Sequence, residues 1–483
     1  MRFVLLVALL AAPTLAQTSG PTIAATNVPT APVAMDRELL LKIDRAELGN
    51  RFDPSQADAL LHAHALIEDY FDKPAERKQI VKSLESTGID PNVLGRLARI
   101  RIHWPDLKGG AYYVNEQVGP HAVKYFLGLP NAYDRSQPWP LVIKLPTADA
   151  FANRQPPPGA DEVATIYRGW MNEELSHHPD AIVLMPLLNL DEFYGPSYAG
   201  MNTVVQPLLH VGERVNVDVS RVHLMGHSMA GHATWNLALH FPTYLASIGV
   251  LAGGASADFQ RLRIIGLRNL LPVVWHDADD PVIKVDAARG ITRALKMQKL
   301  DADYDETKGV GHTPTTDVVD RLYGKMRSRT RELYPKHVSL QSNRPDTIFN
   351  RNDWLQVYQP LKTGDEKRSI FSRGRGFMIT YANTFRADAT IAGPNKIEIQ
   401  TDNVAEMRLY VNDQMIDFAK PVTVVVNRRV RFEGLVKPSV DEMLKDQLFL
   451  GRGWRYYTGV IDLDLTTGPR PPTTRAVTKR SSQ

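Results

Sequence analysis

The sequence predicts an α/β protein: a mostly parallel sheet covered by helices on both faces, with a helical region before it and an antiparallel β-domain after it. From residue 36 to about residue 107, apolar residues recur at helical spacing. Between residues 111 and 335, continuous apolar runs alternate with helical segments, as expected for parallel strands buried on both faces. After about Lys336 the helical pattern stops, and short runs alternate apolar and polar residues. A chain of 483 residues is also too long for one ordinary core, so several domains are expected.

The first residues, MRFVLLVALLAAPTLAQ, predict a secretory signal peptide spanning residues 1–16. Arg2 provides a basic start, an apolar run follows, and Ala16 completes a small-residue cleavage site. A membrane-spanning helix needs about 20 apolar residues, which is more than this run contains. We therefore expect export to the periplasm or the medium, and no transmembrane anchor. Residues 17–35 are rich in Pro, Thr and Ala and predict a linker.

Composition excludes several classes of partner and cofactor. The formal net charge is only +4 and no long Lys/Arg run accompanies it, so nucleic acid is not expected as a partner. The chain contains no cysteine, so neither disulfides nor thiolate zinc sites can form. No cofactor and no metal site are predicted. The hydrophobic content of 43% with 23% charged residues is typical of a folded globular chain.

The region 36–110 predicts a small set of helices without a catalytic motif of its own. Asp53 and Pro54 favour the start of one of these helices, because proline is tolerated in a first helical turn. His62 and His64 are two residues apart and would face different directions on a helix, so we interpret both as surface residues and not as ligands.

The region 111–335 is predicted to be the catalytic domain, and it begins with an antiparallel hairpin formed by residues 112–114 and 123–127. The predicted strands that follow are 141–145, 182–185, 222–225, 248–251 and 271–275. The predicted helices between and after them are 162–174, 203–214, 230–240 and 285–300. This alternation favours a parallel sheet with helices on both faces.

The run GHSMAG, residues 226–231, lies at the joint between a predicted strand and a predicted helix. Gly226 permits a sharp turn, and a serine on such a turn is lifted clear of the backbone beside a helix N-terminus. Ser228 is therefore predicted to be a nucleophile, with the Met229 amide as the first oxyanion donor; the alternative is a serine placed in a turn by chance. Ala230 stands where a second glycine is usual, and alanine is the least disruptive replacement at a close helix–strand approach.

A serine nucleophile needs a base, and the base needs an orienting acid. Downstream of Ser228, the predicted strand 271–275 ends in the acid-rich loop HDADD. Asp280 is the predicted acid, with Asp279 and Asp277 as competitors. His312 follows the next strand in a glycine-flanked loop, which allows an imidazole to swing toward the serine. The order serine, acid, histidine is the order this strand–turn–helix arrangement uses.

Other candidates for chemistry are weaker. His276 is interpreted as shaping the acid loop, and His227, next to the nucleophile, is expected to point away from it. Residues 301–305 are weakly similar to a calcium loop, but the glycine at its sixth position and the acid at its twelfth are missing, so an edge strand is preferred. Residues 373–376 are interpreted as a turn of the β-domain and not as an anion loop.

Together, the run DVSRV followed by GHSMAG, the run HFP at residues 240–242 and the run LAGG at residues 251–254 resemble the α/β-hydrolase branch. That branch contains prolyl oligopeptidase-like, polyhydroxybutyrate depolymerase-like and feruloyl esterase-like enzymes, some of them secreted predicted peptidases. The resemblance covers about residues 111–330 and places the acid of an H-G-x-x-D-x-x-V pattern on Asp280. It implies an α/β-hydrolase fold and a serine hydrolase.

The sequence departs from this branch at the loop that normally supplies the second oxyanion donor. Where the branch reads H-G-G, this chain reads Leu-Pro-Thr-Ala at residues 145–148. Pro146 has no backbone N–H, so Thr147 or Ala148 is the predicted second donor.

Substrate is predicted only by class. The loop 189–198 carries Phe193, Tyr194 and Tyr198, which either wall an acyl or aromatic pocket or pack as an ordinary loop. Nothing before residue 111 is long or β-rich enough to form the propeller that filters substrates in prolyl oligopeptidases, which favours carboxylic esters, small or polymer-linked, over peptides. The alternative from a different class is a carbohydrate- or partner-binding protein on a degenerate hydrolase scaffold.

The β-rich domain is predicted for residues 336–440 and is expected to be a small sandwich. The sequence does not identify its ligand, for which polysaccharide is one candidate. Its predicted strands are 385–391, 396–401, 407–411, 422–426 and 430–432. Residues 441–483 are predicted to be a C-terminal extension that ends in a basic, Pro-rich tail.

Overall fold

The structure is a computed structural model that describes most of the chain between residues 26 and 467. The described ranges are 26–27, 35–101, 103–119, 121–147, 160–187, 198–255, 262–345, 349–364, 366–372 and 376–467. The predicted signal peptide, most of the predicted linker and the tail from residue 468 lie outside them. Among the helices of these ranges, none combines the length and the apolar character that crossing a membrane requires.

A nine-stranded sheet, in the order β1-β2-β3-β5-β4-β6-β7-β8-β9, forms the centre of the fold. Its strands are β1 Thr26–Asn27, β2 Gly110–Val118, β3 His121–Leu129, β4 Trp139–Leu145, β5 Ile182–Pro186, β6 Val217–His227, β7 Ser247–Leu251, β8 Leu271–Asp277 and β9 Asp303–Thr307. The hairpin β2–β3 and the pair β3–β5 are antiparallel, and the other pairs are parallel. The predicted mostly parallel sheet is confirmed.

Helices cover both faces of this sheet. Adjacent residues show it: Leu224 and Met225 of β6 are both buried but belong to separate apolar clusters, one on each face. The helices that follow the sheet's strands are α5 Ala160–His177, α6 Tyr198–Val211, α7 Met229–His240, α8 Asp286–Met297 and α9 Thr316–Arg327. Between β1 and β2 in the chain lie α1 Arg37–Leu48, α2 Ala57–Asp72, α3 Arg77–Ser86 and α4 Pro91–Leu97.

The C-terminal part contains two packed sheets and a hairpin. Their strands are β10 His337–Ser342, β11 Arg351–Asn352, β12 Leu355–Gln359, β13 Lys367–Ser372, β14 Gly376–Tyr381, β15 Phe385–Gly393, β16 Lys396–Asp402, β17 Glu406–Val411, β18 Val422–Val426, β19 Arg429–Gly434 and β20 Gly459–Asp464. One sheet has the order β10-β15-β16-β18-β19 and the other β11-β12-β17-β20, while β13 pairs only with β14. The predicted antiparallel β-domain is confirmed, with one difference: β16 and β18 are parallel, because β17 crosses to the other sheet between them.

The expectation that helices stop after Lys336 is wrong. Helix α10, Val440–Leu450, begins at Ser439, whose side chain accepts a hydrogen bond from the Glu442 N–H, and β20 then pairs with β17. The alternation of apolar and polar residues in this stretch is weak, because α10 is buried against neighbours on several sides.

The N-terminal helices pack on the C-terminal part, with which they share an apolar cluster. Arg452 forms a buried, two-bond ion pair with Glu68 of α2, with Nη2 2.9 Å from Oε1. The Thr458 hydroxyl donates to Asn92 of α4 at 2.6 Å. Helices α2 and α4 are therefore held to the segment between α10 and β20 by paired buried polar groups.

The interpretation of His64 as a surface residue is also wrong. Its side chain is fully buried, and Nε2 lies 2.6 Å from Oδ1 of the equally buried Asp44. This contact joins α1 to α2, so His64 is part of the packing between these two helices.

Candidate active site

Ser228 occupies the sharp turn between β6 and α7. Its φ is 58° and its ψ is −120°, a backbone conformation that residues other than glycine rarely adopt. The turn is held because the Ser228 N–H donates to the Leu251 carbonyl of β7 at 2.9 Å. A Cβ on Gly226 would lie 2.4 Å from the Ala230 carbonyl oxygen, so a side chain at residue 226 is excluded. The predicted elbow geometry is present.

The close approach of helix to strand occurs one residue later than the usual pattern suggests. A Cβ on Gly253, just after β7, would lie 2.7 Å from the carbonyl carbon of Gly231, whereas Ala230 fits with its side chain buried. Glycine is therefore required at residue 253, a Cβ at residue 231 would be tight at 3.1 Å from the Leu251 carbonyl oxygen, and residue 230 does not need glycine. This explains why alanine is tolerated in the second glycine position.

The structure brings Ser228, His312 and Asp280 together from three strand ends. His312 Nε2 lies 2.9 Å from Ser228 Oγ, and His312 Nδ1 lies 2.8 Å from Asp280 Oδ2. Ser228 and Asp280 are buried, at 7% and 4% exposure, while the imidazole between them is partly open to solvent. Both nitrogens of the ring are thus used, one toward the hydroxyl and one toward the carboxylate.

The Asp280 carboxylate is held in its charged form. Burial is the largest influence and opposes ionisation, but hydrogen bonds from His312 and from the backbone N–H groups of Ile283 and Val282 outweigh it and lower the pKa. Those two N–H groups donate to Oδ1 at 3.0 and 2.8 Å, which leaves Oδ2 for the imidazole.

The two competing acids, Asp277 and Asp279, lie in different surroundings from Asp280. The buried Asp277 accepts hydrogen bonds from the Thr307 hydroxyl at 2.7 Å and from the Val310 N–H at 3.0 Å. Burial opposes its ionisation, but these and further backbone donors lower its pKa to about 2. Asp277 therefore braces the loop that carries His312, while Asp279 is exposed to solvent.

Two further histidines contact this group of residues. His227, which the sequence predicts to point away from the nucleophile, has its Nε2 2.9 Å from the His312 carbonyl oxygen, so it contacts the backbone of His312. The buried His276 donates from Nε2 to the Ile283 carbonyl at 2.8 Å, and the same nitrogen lies 3.3 Å from Asp280 Oδ2. His276 thus shapes the acid loop as predicted, whereas nothing in the sequence indicates the contact of His227.

Of the predicted oxyanion donors, Met229 and Thr147 are described. Met229 is the first residue of α7, so its N–H has no acceptor within the helix. In the sheet register Leu145, the last residue of β4, lies beside Gly226, so Thr147 and Ser228 both follow strand ends at the same edge of the sheet. Ala148 lies outside the described residues.

The side chains of the predicted pocket residues are outside the part of the chain that the structure describes. Phe193 and Tyr194 lie outside the described residues, and Tyr198 is the first residue of α6, with no side-chain position described. Within the described ranges, no group of three or more acidic or histidine side chains is placed to hold a metal ion.

The sheet order, with Ser228 on a strand–turn–helix joint and the chain order serine, aspartate, histidine after β6, β8 and β9, defines an α/β-hydrolase fold. Comparisons with protein-family models and with curated protein sequences found no match.

Among solved structures, the chain is similar to a thermostable esterase, with 20% identity and a TM-score of 0.37, over 46% of this chain and 63% of the esterase. It is similar to a Bacteroides ovatus protein described as a dipeptidyl aminopeptidase IV, with 14% identity and a TM-score of 0.36, over 45% of this chain and 35% of that one. A ferulic acid esterase from Anaeromyces mucronatus has 13% identity and a TM-score of 0.33, over 46% of this chain and 90% of the esterase. The chain thus spans less than two thirds of the length of the first two.

Proposed function

We propose that this protein is a serine hydrolase that cleaves carboxylic esters through an acyl-enzyme. The observation that carries the proposal is the continuous hydrogen-bonded line from Ser228 Oγ through the His312 ring to Asp280, with distances of 2.9 and 2.8 Å. A chance serine in a turn would have no reason to meet an imidazole whose far nitrogen is held by a buried carboxylate.

In the proposed mechanism, Ser228 Oγ attacks the ester carbonyl as its proton passes to His312 Nε2. Asp280 keeps the imidazole in the tautomer that presents Nε2 as an acceptor, and it stabilises the imidazolium that forms. The Met229 N–H and a donor from Thr147 or Ala148 stabilise the oxyanion. His312 then protonates the departing alkoxide, and the same sequence with water as nucleophile releases the carboxylic acid and restores Ser228.

Ester hydrolysis is proposed over peptide hydrolysis on chemical grounds. Pro146 removes one N–H from the strand end beside the nucleophile, so the oxyanion site has few backbone donors to draw on. Esters are intrinsically easier to cleave than amides and demand less of such a site. A serine-type peptidase is the alternative activity, and a carbohydrate- or partner-binding protein without turnover is the alternative class.

We expect a fluorophosphonate probe to label the native full-length protein at Ser228 and to lose labelling in Ser228→Ala. Mass spectrometry of the labelled peptide identifies the site. Ser220, a partly buried serine of β6, is the control, and Ser220→Ala should label as the native chain does. Labelled protein should lose turnover of short acyl esters; absence of labelling in folded protein would favour the binding-protein alternative.

Paired substrates that share an acyl group but differ in ester or amide linkage then assign the substrate class. Faster turnover of the amide at matched concentration would contradict the ester proposal and support a peptidase.

We also propose that the mature protein is exported and begins after Ala16. The basis is the basic start and short apolar run of residues 1–16, which resemble a cleaved secretory signal. Intact-mass measurement of the protein expressed from its full-length gene in a Gram-negative bacterium should show an N-terminus at Gln17. Recovery of the chain with residues 1–16 still attached in the cytoplasmic fraction would contradict export.

A further inference from the structure

Two neighbouring cavities lie away from the candidate active site, at the junction of the N-terminal helices, the catalytic sheet and α10. Their volumes are about 560 and 440 Å³, in the range of small-molecule sites. Five lining residues are common to both, so the two cavities form one groove: Val118, Gly119, Gln206, Leu209 and Leu448. His240, at the far end of α7 from Ser228, lines the groove, which puts that point about 18 Å from the nucleophile along the helix.

One end of this groove is apolar and open. Val118, Leu448 and Phe449 line it and are 38%, 42% and 38% exposed, which is high for large apolar side chains. Leu209 and Phe241 continue the apolar wall inward. Contiguous exposed apolar surface in a concave site is typical of a binding groove.

Three arginines line the other end, and they differ in how many of their hydrogen-bond donors have acceptors. Arg452 gives its donors to Glu68 and to backbone carbonyls, so it is a structural part of the wall. Arg101 pairs with Glu213 and Arg214 with Glu116, but each has a buried Nε–H without an acceptor among the residues that the structure describes. An arginine carries five donors, so within the described part of the chain this end has two buried donors to spare.

Two electrostatic features favour an anion at that end. Burial lowers the pKa of Arg101 and the positive charge of Arg452 lowers it further, while Glu68 opposes the shift, so a negative ligand near Arg101 would stabilise its charged form. His210, between Tyr125 and Glu116, has its pKa lowered to about 4 by burial and by Arg214, so it is neutral near pH 7. The cationic groups of this end are therefore the three arginines, and because each is paired with one glutamate, the two Nε–H groups without a described acceptor are what remains for a ligand.

We propose that this groove binds a single-chain amphiphile with a carboxylate head, that is, a free fatty acid, with the head at Arg101 and Arg214 and the chain along Leu448 and Phe449. The apolar, open end matches an alkyl chain and the donor-rich end matches a carboxylate, which arginine recognises with paired hydrogen bonds. The site is separate from the proposed active site and does not depend on it.

The test is titration calorimetry of the full-length Ser228→Ala protein with decanoate, below the concentration at which decanoate forms micelles. Removing Ser228 prevents turnover from complicating the signal and leaves the experiment valid whether or not the protein is a hydrolase. We expect one site per chain. Affinity should rise about threefold to fourfold per methylene from hexanoate to decanoate, and decanol, which lacks the charge, should bind at least about tenfold more weakly.

Variants assign the two ends of the groove. Leu448→Ser should weaken decanoate binding about tenfold, while Leu435→Ser, at an apolar residue that is 58% exposed elsewhere, should leave it unchanged. Arg101→Gln should weaken decanoate binding about tenfold and leave decanol binding unchanged. Because Leu448 is on the surface, its variant remains informative if Arg101→Gln does not fold.

Equal binding of decanoate by native and Leu448→Ser protein would overturn the proposal, as would equal binding of decanol and decanoate. A dimer in sedimentation analysis that Leu448→Ser abolishes, without decanoate binding, would assign the groove to a second copy of the chain instead.

Discussion

Ser228→Ala and His312→Ala should each lower kcat toward a short acyl ester by on the order of a million-fold, while the protein stays folded. The expectation follows from the geometry: the hydroxyl and the imidazole meet at 2.9 Å, and the far nitrogen of the same ring lies 2.8 Å from the Asp280 carboxylate. The double variant should be scarcely worse than either single one, because groups that act as one unit are lost together. Steady-state kinetics on the three purified proteins, with circular dichroism as the folding check, measure this.

Asp280→Asn should cost less, on the order of ten-thousand-fold, because it disturbs the tautomer and not the nucleophile. The matched controls are the neighbouring carboxylates. Asp279→Asn, on the surface, should be close to native, and Asp277→Asn should act mainly through the His312 loop that it braces. Near-native activity of Ser228→Ala would refute the proposed mechanism, and a larger loss in Asp279→Asn than in Asp280→Asn would move the acid by one residue.

Asp353→Asn should lower the free energy of unfolding by about 3–5 kcal/mol. Asp353 accepts two hydrogen bonds from Arg331 at 2.8 Å and lies 3.4 Å from Arg455, and all three side chains are buried. Removing the carboxylate charge leaves two buried guanidinium groups without their anion. Asparagine keeps the shape and tolerates the left-handed backbone at this residue, where φ is 48°, so the loss reports charge and not strain.

Urea unfolding followed by tryptophan fluorescence measures this loss. The control is Asp462→Asn. Asp462 forms a two-bond ion pair with Arg408 that also lies in the C-terminal part but is partly exposed. Loss of this pair should lower the free energy of unfolding by less than about 1 kcal/mol. Equal losses of unfolding free energy in the two variants would show that burial does not make the ion pairs of Asp353 stronger than an exposed pair.

The same cluster gives a pH dependence. Burial is the largest influence on Asp353 and opposes ionisation, but Arg331 and Arg455 outweigh it and lower the pKa below the ordinary value of 3.8. A carboxyl whose pKa is lower in the folded state adds stability above the unfolded pKa and loses it as pH falls through the folded pKa. The difference in unfolding free energy between native and Asp353→Asn protein should therefore be constant from pH 7 to about 5 and shrink below pH 4.

The buried group formed by Asp353, Arg331 and Arg455 also links the C-terminal part to the catalytic domain. Arg455 donates to the Thr243 carbonyl at 2.7 Å, and Thr243 lies three residues after the end of the nucleophile helix α7. The C-terminal part therefore packs on the catalytic domain through buried charges. A chain cut near Lys336 would lose Asp353 and Arg455 and leave Arg331 unpaired.

The sequence by itself determined the α/β sheet, the elbow at Ser228 and the order of Asp280 and His312 along the chain. These are local signals: apolar runs of strand length, a glycine before a serine, and polar residues just past strand ends, and local patterns survive in sequence because each depends on near neighbours. The strands from residue 385 to residue 432 were predictable for the same reason, since each alternates apolar and polar residues over its own length.

Only the tertiary structure decided which residues far apart in the chain meet. The contact of His227 with the His312 backbone, the pairing of Glu68 with Arg452, and the two arginines on Asp353 join residues between 22 and 384 positions apart. Helix α10 and the buried His64 were misjudged because their neighbours come from distant segments. Burial of a polar group depends on whether a partner lies across the interface, and no local pattern records that partner.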